Sequence, residues 1–121
     1  MSFARTSYGE AVVVTAIGRI DLGNADAFKD ALNGGVEDAA AVIVVDMAGV
    51  DYISSAGLRS LMITLRTAKA AGKRLGVAAL TPLVLEIFTI SRFNLVFSLF
   101  PGVRDALQAL SPDGLGQFDA S

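Results

Sequence analysis

The chain of 121 residues contains neither cysteine nor histidine. The first absence excludes disulfides, thiolate metal sites and thiol catalysis; the second takes away the commonest general base and the commonest metal ligand. Long hydrophobic runs are missing too. Asp, Gly or Pro breaks every apolar stretch well short of the roughly 20 residues that a membrane helix needs, and the N-terminus lacks a basic-then-apolar leader pattern. Nor is there a positive excess: ten Lys and Arg face twelve Asp and Glu, giving a formal charge of −2 and a pI of about 4.9. The chain as a whole therefore has no attraction for nucleic acid phosphates. A Gly-x-Ser-x-Gly elbow and a Gly-x-x-x-x-Gly-Lys-Ser/Thr phosphate loop are both absent. These gaps argue against a serine hydrolase or a nucleotide hydrolase. They lead us to expect a cytoplasmic protein without catalytic residues, cofactor, metal, membrane span or direct nucleic acid partner.

What is present is a strongly apolar composition, 53% hydrophobic with a mean hydropathy of +0.56, enough for one domain with a modest core. Phe3 to Tyr8 and Ala11 to Ile17 read as a hairpin around Gly9-Glu10. Asn24 is a good N-cap for a helix from Ala25 to about Leu32, with Asn33-Gly34-Gly35 as its stop. The β-branched run before Asp46 predicts a strand covered on both faces. A second helix runs from Ala56 to Ala71, closed by Gly72, and a strand from Leu75 to Leu80 follows. Thr81-Pro82 opens a third helix to about Ser91. Leu95 to Phe100 is a fifth strand, and Val103, Ala106, Leu107 and Leu110 form the inner stripe of a last helix. Strands alternating with helices predict an α/β domain over residues 1–110, with a mixed, mostly parallel sheet of about five strands and about four helices. Residues 111–121 are expected to form a flexible tail.

Charge is unevenly placed. Eight of the twelve acids precede Ser54, whereas five of the ten bases fall between Ala56 and Gly76, so the second helix should carry a basic outer face. At the start of that helix stand two hydroxyls, in Ser54-Ser55-Ala56-Gly57-Leu58. A serine there caps the helix or receives a phosphate, and one residue can do both. The first turn of a helix offers unpaired N–H groups and a partial positive charge that hold a phosphoryl group. Asp21 reads as a loop carboxylate in a turn, Asp46 as a strand-end acceptor, and Asp21, Asp46 and Asp51 supply too few ligands for a metal site. Gly57 is read as permitting close packing of the helix or close approach of a partner.

The order of elements, Gly18-Arg19-Ile20-Asp21 after the second strand, Asp46 through Tyr52 after the third, and Ser54-Ser55-Ala56-Gly57-Leu58 at the next helix resemble a STAS domain, and more narrowly an anti-sigma factor antagonist. The resemblance covers Ala11 to Leu110. It implies a STAS-like fold and a partner switch: the unphosphorylated form binds an anti-sigma factor, often itself a serine kinase, and frees its sigma factor. Phosphorylation by that kinase inactivates the antagonist and a PP2C-type phosphatase restores it. Position by position, the phosphorylated hydroxyl falls on Ser55, with Ser54 as second choice, and the partner-binding set on Asp21, Asn24, Ser54, Ser55, Ala56, Gly57, Leu58 and Arg59. The commonest family pattern has an aspartate immediately before the phosphorylated residue; here Ser54 stands there. The other role the resemblance allows is a scaffold or regulatory subunit of a stress-signalling or lipid-transport complex that works without phosphorylation.

Overall fold

The computed structural model describes residues 1–121. Its five strands are β1 (Ser2–Tyr8), β2 (Ala11–Ile20), β3 (Val42–Ile53), β4 (Arg74–Ala78) and β5 (Ser98–Phe100), joined in one sheet in the order of the chain. β1 and β2 form the expected antiparallel hairpin, with Gly9 in the left-handed region at φ +59°; all other neighbours are parallel. The helices are α1 (Ala25–Asp38), α2 (Ser55–Ala70), α3 (Pro82–Ile90), α4 (Val103–Leu110) and α5 (Pro112–Ala120), with a 3₁₀ turn at Phe93–Leu95. This is the predicted mixed, mostly parallel α/β layer with one helix more.

The apolar strands are buried on both sides because helices cover both faces of the sheet. Along β2 and β3, Val12, Val14, Ile43 and Val45 face the larger core under α1, α2 and α3. Ala11, Val13, Val42 and Val44 face the smaller one, where Ala106, Leu107 and Leu110 of α4 meet them. The two-residue period of a strand sends alternate side chains to opposite cores.

Four expectations are corrected. α1 does not stop at Asn33-Gly34-Gly35 but continues to Asp38. Gly35 is buried against the sheet, where a Cβ would stand 2.5 Å from Val14 Cγ2, so it permits close approach of helix and strand instead of ending the helix. β3 extends beyond Asp46 to Ile53, because β2 continues alongside it through irregular register to the pair Ile20 and Ile53. The strand expected over Leu95 to Phe100 is confined to Ser98–Phe100, and Leu95 instead closes the 3₁₀ turn Phe93–Leu95. The flexible tail is a helix: the Ser111 hydroxyl caps α5 by accepting from Gly114 N–H and donates to Glu10 Oε1, Asp113 accepts from Glu10 N–H, and Phe118 meets Tyr8 edge-on. α5 thus covers the β1–β2 turn.

No helix is long and apolar enough to cross a membrane.

Candidate functional site

Parallel strands β2, β3 and β4 all feed their helices at the same sheet edge, so the N-termini of α1, α2 and α3 gather there. This is the edge at which open α/β sheets place their functional loops. Ser54 N–H donates to Ile20 O at 2.9 Å, tying the end of β2 to the beginning of α2. Gly57 lies over that tie: a Cβ on it would be 2.7 Å from both Ile20 Cγ2 and Ile53 Cγ1. Only a residue without a side chain lets the first turn of α2 settle this closely onto the two strands.

The two serines divide their work. Ser54 is the N-cap: its hydroxyl accepts from Gly57 N–H at 3.3 Å and its carbonyl from Leu58 N–H at 2.9 Å. Ser55 is the first helical residue, is exposed, and makes no side-chain hydrogen bond within the domain. It belongs to the first turn of α2, where the N–H groups have no intrahelical acceptor. Aspartate caps helices as well as serine does, so Ser54 serves as cap where the resemblance implies an aspartate.

Asn24 occupies the N-cap position of α1, but its side chain does not cap the helix. Its Oδ1 accepts from Asp21 N–H and its Nδ2 donates to Arg19 O, so the side chain clamps the loop that precedes the helix. Asp21 Oδ1 accepts from Gly23 N–H within the same turn, and Oδ2 lies 3.9 Å from Arg19 Nε. Arg19 in turn sits over the Tyr52 ring at 4.1 Å. Asp46 accepts from Ala48 N–H. Thr81 does not cap α3 through its side chain; its hydroxyl donates to Val50 O.

Ser55 and Arg59 stand together on two shallow grooves. One lies between α1 and α2 and adds Leu22, Asp26, Lys29 and Ile63; the other lies between α2 and the segment after α3 and adds Met62, Arg66, Ser91 and Phe93. The acid beside Ser55 in the first groove is Asp26, already facing Lys29 at 3.9 Å; Asp21, Asp46 and Asp51 line neither groove. No three acidic side chains converge into a cation site. Leu58 is buried in the main core and shows the groove only its edge. Of the residues that sequence reasoning missed, Leu22 carried the clearest signal. An apolar side chain stands between Asp21 and Gly23-Asn24 in a turn, and it is 83% exposed.

The family model described as "Mlab, STAS domain" matches residues 3–100. Over 84 residues, 69% of this chain and 70% of the relative, the sequence is 33% identical to a protein of Bordetella bronchiseptica described as an anti-sigma factor antagonist, BtrV. A solved anti-sigma factor antagonist from Mycobacterium paratuberculosis is 27% identical with a TM-score of 0.82, covering 90% of this chain and 92% of that one. The Bacillus cell fate determinant SpoIIAA in its phosphorylated form shares the fold at 15% identity, with a TM-score of 0.68 over 89% of this chain and 98% of that one.

Proposed function

Because the chain belongs to the STAS domain family, we propose that it is an anti-sigma factor antagonist whose docking is switched by phosphorylation of Ser55. In this reading the unphosphorylated form binds an anti-sigma factor and frees its sigma factor. The anti-sigma factor, a serine kinase, transfers the γ-phosphoryl group of ATP to Ser55 Oγ, with the hydroxyl proton lost and ADP released; a PP2C-type phosphatase hydrolyses the ester. The docking rim comprises Asp21, Asn24 and the turn from Ser54 to Arg59.

The observation that carries this reading is the division between the serines: Ser54 holds the helix cap, so Ser55 presents a free, exposed hydroxyl whose modification breaks no hydrogen bond of the fold. A phosphate adds nearly two negative charges. Inside the domain the N-terminal dipole of α2 and the Arg59 side chain one turn along offset them. Across a docked interface the same dianion meets desolvation and repulsion worth a few kcal/mol, and about 4 kcal/mol weakens binding roughly a thousandfold. The switch therefore acts on the interface and leaves the domain folded. A hydrolytic role for Ser55 has no support, since Lys69 on the same helix is about 21 Å farther along the axis.

Incubation with the cognate anti-sigma kinase and ATP, followed by peptide mass analysis, tests the proposal. One phosphate on Ser55, retained in Ser54→Ala and absent in Ser55→Ala, is expected. An unmodified chain beside an active kinase would instead support the scaffold role.

A further inference from the structure

We propose that the face of α2 running from Ser55 to Lys69 docks an acidic, apolar-anchored segment of a protein partner. Positions 55, 59, 62, 66 and 69 share one stripe of the helix at 100° per residue, and the sixteen-residue helix is about 24 Å long. α2 contains no acidic residue. Its cations Arg59, Arg66 and Lys69 are followed directly by Lys73 and Arg74, and none of these five makes an ion pair. By contrast Arg5, Arg19, Lys29 and Arg104 each face a carboxylate. In a chain of net charge −2, five cations without a carboxylate partner on one helix and the residues that lead from it into β4, of which Lys73 alone is tied, to the Val36 carbonyl, are a local field that selects carboxylates.

The stripe also has an apolar floor. Met62, Ile63 and Phe93 line the groove beside Arg59 and Arg66, and Val96 lines the next stretch beside Lys69, Lys73 and Arg74. No carboxylate lines either stretch. Ile63 is 37% and Val96 45% exposed, so a docked segment gains burial there as well as charge pairing. Arginine beside apolar and aromatic side chains is the composition favoured at protein interfaces. Ser55 stands at the head of this groove, so its phosphate would place a dianion where the partner's acids dock. The inference rests on the proposed function for that link alone.

The probe is a synthetic sixteen-residue amphipathic peptide of Leu and Glu, titrated into the isotopically labelled full chain and followed by NMR. Shifts are expected along α2 and residues 91–96, with no binding of the peptide in which Lys replaces Glu. The double variant Arg66→Glu, Lys69→Glu should weaken binding about tenfold, and Arg66→Gln, Lys69→Gln by less; both side chains are exposed, and circular dichroism verifies folding. Absent shifts, shifts confined elsewhere, or equal binding of the Lys peptide would overturn the proposal. So would concentration-dependent self-association abolished by the Glu variant, which assigns the groove to a second copy, or capture by phosphatidylserine vesicles without peptide binding. Peptide docking by a chain that accepts no phosphate would sink the switch and leave the groove; phosphorylation without docking would do the reverse.

Discussion

Ser54→Ala and Ser55→Ala change neighbouring hydroxyls and should differ in stability by about 1 kcal/mol. In the first, the side-chain bond from Gly57 N–H is lost; the backbone bond from Leu58 N–H to the same residue survives. Losing a serine N-cap costs about 0.5–2 kcal/mol. The 3.3 Å separation is longer than the usual N–H···O distance of about 2.9–3.0 Å, which places the loss in the lower half of that range, about 1 kcal/mol. In the second, no hydrogen bond is lost, and alanine is a better helix former than serine by a few tenths of a kcal/mol. Ser55→Ala is therefore neutral or slightly stabilising. With an m-value of about 2 kcal/mol/M, Ser54→Ala lowers the urea midpoint by about 0.5 M, and the thermal midpoint by about 4 °C. Ser54→Asp is the control: it replaces one good cap with another and should stay close to the parent. If Ser55→Ala loses the stability and Ser54→Ala does not, the cap and the free hydroxyl have been assigned to the wrong residues. Phosphorylation at 55 would then break the helix start, and the case for an interface switch would fail with it.

Three further outcomes follow from the same geometry. Gly57→Ala forces a methyl group to within 2.7 Å of two buried isoleucines and should lose about 1–3 kcal/mol by denaturant unfolding, outweighing the helix-propensity gain; a more stable variant would show that the approach is not close. A chain ending at Leu110 loses the Glu10, Ser111 and Phe118 contacts of α5 and should be less stable by about 2 kcal/mol, whereas an unmoved urea midpoint would return this segment to a loose tail. In calorimetric titration with the anti-sigma factor, Ser55→Ala should bind as the parent does and Ser55→Asp at least about tenfold more weakly. Equal affinities would count against the switch.

The serine pair and the basic helix are one arrangement seen at two scales. Ser54 fixes the start of α2, Gly57 seats that start on Ile20 and Ile53, and Ser55 is left at the mouth of two grooves that share Arg59. A charge added at Ser55 is therefore added where both grooves begin. Lys29 and Asp26 belong to this setting although they come from α1. Their spacing gives an ordinary i,i+3 ion pair, and nothing local announces that α2 lies beside it.

The amino-acid order alone determined the layer architecture, because a β-branched run such as Val42 to Val45 has no polar face and must be covered on both sides, while Leu58, Leu61 and Leu65 repeat at helical spacing. It also determined that a hydroxyl pair opens the second helix. Tertiary structure decided the rest. By local preference Gly35 is a stop and Asn24 a cap, but Val14 occupies the place of the Gly35 side chain, and Arg19 and Asp21 hold the Asn24 amide. The segment after Leu110 became a helix with Glu10, about a hundred residues earlier, as its partner. Spacing reports periodicity and local preference, but the neighbour of Gly35 and the partner of Ser111 are set by chain segments far away in sequence, and which of several local partners an amide or a hydroxyl takes is set by the folded path of the loop.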